Sequence, residues 1–324
     1  MSSAQQKPLP ADTWLLTDGH AGNVRQAEAL ARALGRSVQS PELAPRAPWR
    51  WLAPRRLPGA PHALGPGFAH ALAGPPARVP ELAIGCGRQG ALATRLLRER
   101  GARAVQILDP RVDTRHWDLV VAPEHDGLRG ANVLPLLGSL NPVDDAWLAE
   151  AAAHFPALLA LPQPRTVLLV GGPTRHAPWR GDSFQALLET LRRRMAEEGG
   201  SLLATISRRT PAPVLDLLRM HLRDMPGLLW DGSGANPYPG MLACADRIVC
   251  TPDSVNMLSE ACATTAPVYV ADAAAADGRI GRYLGSLQSR GRIRPADGML
   301  APFDATPLRE TARIASQVRE RLGL

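Results

Sequence analysis

The sequence predicts an α/β protein built from two Rossmann-like domains facing across a cleft, and three observations carry that expectation. Short apolar runs alternate with amphipathic stretches along most of the 324 residues, the pattern of parallel strands covered on both faces by helices. The loops after the apolar runs are rich in glycine and polar residues, as expected where ligands bind beyond the carboxyl ends of strands. Two such stretches of similar size, 1–160 and 161–324, meet at a proline-bearing linker, Ala160-Leu161-Pro162-Gln163-Pro164.

In the first domain, Trp14 to Thr17 reads as a strand ending in Asp18-Gly19-His20-Ala21-Gly22-Asn23. An amphipathic helix follows to about Leu34, with Val24, Ala27, Leu30, Ala31 and Leu34 on one stripe. Residues 36–80 are proline-rich and weakly periodic, a long connection with one helix over 67–73. The alternation resumes with strands over 82–85, 104–108, 119–122 and 132–136, and helices over 88–100 and 144–155.

The second domain is cleaner, with strands over 166–170, 202–206, 228–230, 247–251 and 268–270. Helices are expected over 182–198, 211–223, 239–245 and 255–263, with Thr210 as the cap before Pro211 at the first helical position. The last helix, 307–322, is expected to return to the first domain.

Composition narrows the function class. Hydrophobic residues make up 45% and charged residues 21%, the range of globular proteins. Lys7 is the sole lysine beside 36 arginines, which reads as the coding bias of a GC-rich genome. The net charge of +7 divides evenly, +3 over 1–160 and +4 over 161–324. With no basic tail and no aromatic–basic interleaving, nucleic acid is not an expected partner. Weak peripheral contact with anionic lipid fits the charge better.

Cys86, Cys244, Cys250 and Cys262 lack metal or redox spacing and read as reduced, buried small hydrophobes. Residues 1–8 carry no apolar run and no stretch approaches a membrane span, so the expected location is cytoplasmic, or peripheral at the inner membrane face. Trp49, Trp51 and Trp117 read as packing residues.

The chemistry is expected in the strand-end loops. Arg247 to Ala271 forms one β-turn-α-β unit whose turn brings Asp253, Ser254 and a helix N-terminus together, with Glu260 farther along the helix. A helix N-terminus attracts phosphate, and a carboxylate accepts hydrogen bonds from sugar hydroxyls. Gly171-Gly172-Pro173-Thr174-Arg175-His176 and Ser207-Arg208-Arg209-Thr210 follow two further strands, and the arginine fork suits phosphate oxygens. Gly85-Cys86-Gly87-Arg88-Gln89-Gly90 matches Gly-x-Gly-x-x-Gly, with Asp109 as the one acid placed to serve it. For each glycine loop a tight connection is the alternative reading. His20 is an acid–base candidate by its titration range; an exposed loop histidine is the alternative. Glu124-His125-Asp126 is a poor metal set, because adjacent residues rarely converge on one ion.

Together with Gln106-Ile107-Leu108-Asp109-Pro110-Arg111 and the run Thr251 to Ala261, these loops resemble the mitochondrial-fission ELM-type family of plants and many bacteria. The motifs run from residue 17 to about 270, and 36–80 match poorly. The fission role of the plant members is not carried over. The resemblance implies a fold similar to GT-B glycosyltransferases, with the nucleotide-sugar site mainly in the C-terminal domain and no metal or other cofactor. In such enzymes a helix glutamate binds the donor ribose, and Glu260 is the matching position.

The expected activity is sugar transfer from a nucleoside-diphosphate sugar to an envelope-related acceptor. Glu260 holds ribose, and Ser254, Asn256, Thr174 and Arg208 meet the diphosphate. Gly19, Gly22, Asn23, Arg88, Gly171, Gly172, Arg175, Ser207, Arg209 and Asp253 complete the binding loops. Asp18 or His20 deprotonates the acceptor. A non-catalytic scaffold at membrane machinery and a nucleotide-sugar epimerase are the alternatives.

Overall fold

Leu82–Cys86 and Leu119–Pro123 are buried at every residue, as central strands of a sheet covered on both faces must be. The computed structural model describes residues 12–75 and 79–324; the reading of residues 1–8 lies outside them. The chain divides into two compact units. The first comprises the residues up to Leu136, with Leu140–Pro142 and Glu310–Leu324; the second comprises Leu137–Ser139 and Val143–Arg309.

In the first unit, β1 (Thr13–Thr17), β2 (Val38–Gln39), β3 (Leu82–Cys86), β4 (Arg103–Ile107), β5 (Leu119–Pro123) and β6 (Val133–Leu136) form one parallel sheet. The strand order is β2-β1-β3-β4-β5-β6. Its helices are α1 (Ala21–Leu34), α2 (Trp49–Leu52), α3 (Pro66–Ala73) and α4 (Gly87–Arg98). Gly35, at φ 70°, ends α1 in the left-handed conformation that glycine adopts at no steric cost. Residues 36–80, expected as a connection with one helix, also contain β2 and α2.

The second unit runs α5 (Asp145–His154), α6 (Pro156–Leu159), β7 (Arg165–Val170), α7 (Gly181–Glu198), β8 (Ser201–Ile206), α8 (Ala212–Leu222), β9 (Gly227–Trp230) and α9 (Tyr238–Cys244). It continues with β10 (Arg247–Cys250), α10 (Val255–Cys262), β11 (Val268–Val270), α11 (Gly278–Ser289) and β12 (Ile293–Pro295). These strands too are all parallel, in the order β12-β11-β10-β7-β8-β9.

Both orders have a switch point, where the connections leave in opposite directions and a crevice opens beyond the strand ends. It lies between β1 and β3 in the first unit and between β7 and β10 in the second.

The final helix, α12 (Glu310–Leu322), belongs to the first unit, as expected. Its buried Ile314, Ala315 and Val318 join Ala27, Leu30 and Leu34 of α1 in one apolar cluster. Arg313 Nη2 donates to the Pro135 carbonyl at 2.8 Å, and Thr311 Oγ1 to that of Asn141 at 2.8 Å.

Three local expectations change. Residues 143–160, expected in the first domain, lie in the second unit because Trp147, Leu148, Phe155 and Leu158 pack into its core with α9. Pro211, not Thr210, is the cap residue of α8, because the Thr210 hydroxyl is bonded to the Val170 and Gly171 carbonyls instead. α11 and β12 were not expected: α11 is interrupted by glycines and β12 is only three residues long. The stripe Ile280, Tyr283, Leu284, Leu287 is the signal that α11 offers.

Close helix–strand packing in the first unit requires Gly90, where a Cβ would lie 2.1 Å from the Leu16 carbonyl oxygen. Gly90→Ala is expected to lower stability by about 1–3 kcal/mol. Gly285→Ala, in open space on α11, is expected to raise it by about 0.5–1 kcal/mol. Equal urea midpoints for the two variants would contradict this packing account.

Candidate functional site

At the switch point of the second unit, three strand-end loops are fastened by one carboxylate. The Asp253 side chain is 0% exposed. Its Oδ1 accepts from the Thr251 hydroxyl at 2.8 Å and from Trp179 Nε1 at 3.0 Å; its Oδ2 accepts from the Gly172 amide at 2.9 Å and from Arg209 Nη2 at 2.8 Å. The loops after β7, β8 and β10 thereby share one acceptor group. A second layer reinforces it. Thr251 Oγ1 accepts from the Gly171 amide at 2.8 Å, and Thr210 Oγ1 donates to the Gly171 carbonyl at 2.6 Å and accepts from the Ser207 amide at 2.9 Å.

The two glycines are required by this closeness. A Cβ on Gly171 would lie 2.1 Å from Asp253 Oδ2, and one on Gly172 would lie 2.2 Å from the Arg209 carbonyl oxygen. Their role is contact between loops. Asp253, expected to touch a ligand, has its carboxylate buried under four donors and acts by holding the loops that do face solvent.

What those loops present is cationic and polar. Arg175 and Arg208 are exposed and make no ion pair among the described residues, while Arg209 is 51% exposed and keeps N–H groups beyond its bond to Asp253. Ser254 caps α10, its Oγ accepting from the Met257 amide at 3.4 Å. Asn256 lies in the same first turn, half-buried, where amides lack intrahelical acceptors. Thr174 turns the loop after β7 back on itself, its hydroxyl accepting from the Ala177 amide at 3.1 Å. Ser207 Oγ accepts from the Arg209 amide at 3.2 Å.

The far end of α10 is fixed by Arg292. This buried guanidinium donates to the carbonyls of Cys262 at 2.9 Å, Thr264 at 2.8 Å and Ala261 at 3.2 Å. A cation at a helix C-terminus is favoured by the helix dipole.

Glu260 does not lie open beside Ser254. It is 2% exposed, and its Oε2 accepts from the Tyr238 hydroxyl at 2.5 Å. The sequence gives the acid but not the cover, since Tyr238 arrives from α9.

The first unit carries a parallel arrangement at its own switch point. Asp18 accepts from the Asn23 side-chain amide at 2.9 and 3.0 Å, one bond to each oxygen, and from the His20 amide at 3.2 Å. Gly87, at φ +81°, lies so close that a Cβ would be 2.6 Å from Asp18 Oδ2. The middle glycine of Gly-x-Gly-x-x-Gly thus faces a carboxylate, which repels phosphate and favours hydroxyl donors.

Gly19 has φ +75° and open space around it, so its need is conformational rather than close approach. Gly22 and Asn23, expected in the loop, fall in the first turn of α1. His20 is exposed and precedes that helix without a side-chain cap bond, and Arg88 is exposed in the first turn of α4. Burial and the nearby Asp18 push the Cys86 thiol well up, and burial pushes Cys262 to about 12, so neither is a nucleophile near neutral pH.

Asp109 is taken up locally, accepting from the Arg111 amide at 2.8 Å, and Glu124–Asp126 form a single turn after β5. Two clefts of the first unit, about 410 and 740 Å³, open around Arg98 and Asp118 at the amino ends of β4 and β5. That edge is opposite to the polar loops, so chemistry rather than volume locates the candidate site.

A family model described as "Mitochondrial fission ELM1" matches residues 21–322, and the chain belongs to that family. The Arabidopsis thaliana protein named mitochondrial fission protein ELM1 is 32% identical over 275 residues, 75% of this chain and 64% of its own length. A Rickettsia prowazekii protein, RP120, is 23% identical over 232 residues, 59% of this chain and 64% of its own. The chain therefore spans about 64% of the length of the curated relatives it matches. Among solved structures, the UDP-GlcNAc 2-epimerase of Methanocaldococcus jannaschii aligns with a TM-score of 0.57 at 11% identity, covering 95% of this chain and 99% of that one. A putative UDP-N-acetylglucosamine 2-epimerase of Listeria monocytogenes gives 0.54 at 11% identity, covering 96% and 97%. At such identity the likeness is one of fold.

The Asp253 cluster makes a quantitative prediction. Arg209 is half exposed, so solvent screens its ion pair and Arg209→Ala is expected to cost about 1 kcal/mol. Asp253→Ala strands the buried Trp179, Thr251 and Gly172 donors and is expected to cost roughly 3–5 kcal/mol. Urea unfolding followed by tryptophan fluorescence checks both; equal costs would mean that the ion pair, not the buried acceptor, holds the loops.

Proposed function

We propose that this member of the ELM1 family binds a nucleoside-diphosphate sugar at the β7/β10 switch point and transfers its sugar to a hydroxyl acceptor. The observation that carries the reading is the Asp253-held edge. There the exposed Arg175 and Arg208, the half-exposed Arg209 and the first turn of α10 supply cationic and amide donors for a diphosphate. Ser254, Asn256, Thr174 and Ser207 add short polar groups at the same edge, and Gly171 and Gly172 give the backbone room. Asp253 is committed to four protein donors, so arginines and amides meet the phosphate charge.

Glu260 is the proposed ribose acceptor. It already accepts a hydroxyl, that of Tyr238, and a ribose hydroxyl replaces or joins that partner once the tyrosine moves. Asp18 is the proposed base toward the acceptor, because its carboxylate is held by Asn23 and two of its neighbours, Gly19 and Gly87, are glycines. Gly22 belongs to the same helix start, with His20 as the alternative base and Arg88 as an anion contact. An envelope-related acceptor and a cytoplasmic or peripheral location at the inner membrane face belong to the same reading.

The burial of Glu260 favours a second reading, a non-catalytic scaffold that keeps the fold. The epimerase alternative draws on the fold shared with the M. jannaschii enzyme. Product analysis separates the three outcomes: transfer releases free nucleoside diphosphate, epimerisation leaves the nucleotide sugar intact, and a scaffold does neither.

A panel of nucleoside diphosphates tests binding by thermal shift. At a hundredfold excess over Kd, one of them is expected to raise Tm by about 4 °C. Arg208→Ala should abolish most of that shift without altering the unliganded Tm, and Glu260→Gln should reduce it. Asp18→Asn is expected to leave the shift intact and slow transfer by about 10²–10⁴-fold. No shift with any nucleotide, or shifts unchanged in Arg208→Ala and Glu260→Gln, would sink the proposal.

A further inference from the structure

The even division of charge between the halves conceals a local segregation. Between Glu42 and Glu81 the chain has no acid, but it has Arg46, Arg50, Arg55, Arg56 and Arg78. Within this stretch, Arg46-Ala47-Pro48-Trp49-Arg50-Trp51-Leu52-Ala53-Pro54-Arg55-Arg56 alternates arginine with tryptophan and proline. The proposed function gives this stretch no role.

The structure splits this segment into an anchored side and a free side. The Ala44 and Arg46 amides donate to the Leu64 and Ala63 carbonyls, both at 2.9 Å. Ala53 is buried with Ala60, Leu64 and Phe68 in one apolar cluster, and Trp49 packs against it. On the free side, Trp51 is 65% and Leu52 37% exposed. Among the described residues they are the one pair of exposed large hydrophobics adjacent in sequence. Trp51, expected to pack, faces solvent on a framework that does not need it.

Flanking that apolar pair in sequence, Arg46, Arg50 and Arg55 are exposed and make no ion pair among the described residues. Arg56 is the exception, bonded to Glu99 at 2.7 Å. An exposed tryptophan and leucine with exposed, unpaired arginines within five residues on either side match a bilayer interface. The indole sits at headgroup depth, the leucine enters the acyl boundary, and the arginines meet lipid phosphates. A single-strand binder instead requires a groove with successive stacking rings. Here one ring is exposed, and its apolar neighbour is aliphatic.

We propose that the 46–56 segment docks the protein on an anionic bilayer surface, with Trp51 and Leu52 inserted and Arg46, Arg50 and Arg55 on lipid phosphates. No helix among the described residues is long and apolar enough to cross a membrane, so the contact is peripheral. It deepens the peripheral location given under the proposed function, but it stands on different residues from the nucleotide site and does not depend on nucleotide binding.

Cosedimentation of the full chain with vesicles tests it. Binding is expected to vesicles of 30% phosphatidylglycerol in phosphatidylcholine, to fall sharply on pure phosphatidylcholine, and to weaken in high salt. Each surface arginine contributes about fivefold, so Arg50→Glu with Arg55→Glu is expected to weaken binding more than about twentyfold. Trp51→Ser is expected to weaken it roughly tenfold. All these positions are exposed, so unchanged Tm and an unchanged nucleotide-induced shift identify folded variants and keep this test separate from that of the nucleotide site. No binding to the anionic vesicles, or binding unaltered in both variants, overturns the proposal. Retention of a single-stranded oligonucleotide in place of vesicles, lost in the same variants, overturns it in favour of a nucleic-acid surface.

Discussion

A buried carboxylate without enough donors would neutralise or unfold its surroundings, and the second unit is arranged so that Asp253 never lacks them. Its four donors come from α10's own turn, the loop after β7, the approach to α7 and the loop after β8. The closeness of the loops limits the residues beside Asp253. Gly171 and Gly172 admit no side chain, and Thr210, in the layer behind the four donors, bonds the end of β7 rather than capping α8. The result is a cross-linked edge on which Arg175 and Arg208 are exposed beside the half-buried start of α10. Under the proposed function such cross-linking has chemical value, because a diphosphate binds best where its donors already point.

The two units solve the same topological problem with the same residue type to different ends. Each has an aspartate beside a glycine of the neighbouring loop at its switch point: Asp253 beside Gly171, and Asp18 beside Gly87. Asp253 is saturated and sealed. Asp18 is held by a primary amide and a backbone N–H at the start of an exposed loop, and it keeps acceptor capacity. A sealed carboxylate organises the loops around it, whereas a half-buried one with lone pairs to spare has the chemistry to accept from hydroxyls. Under the proposed function, that contrast gives phosphate binding to the second unit and acceptor activation to the first.

Most of the fold was legible because period and punctuation agree: apolar runs such as Thr166 to Val170 lie between glycine-rich turns and striped helices. The unit boundary was less so. The linker prolines at 162 and 164 look like a border, but what assigns residues 143–160 is their packing on α9, which no local signal records. The site was legible as a set of strand-end loops but not as a hierarchy. Sequence does not reveal that Trp179 and Thr251 consume Asp253, that Tyr238 covers Glu260, or that Gly87 lies against Asp18. Charge counted by halves likewise hid the acid-free stretch after Glu42, because its arginines are balanced elsewhere in the first half.

The central claim is that the β7/β10 switch point of the second unit is the nucleotide site. Hydrogen exchange measured by mass spectrometry, with and without saturating nucleoside diphosphate, addresses it directly. The account predicts new protection in the segments 171–176, 207–210 and 253–260, with 85–90 unchanged. Protection confined to 85–90, or spread over neither set, would contradict it.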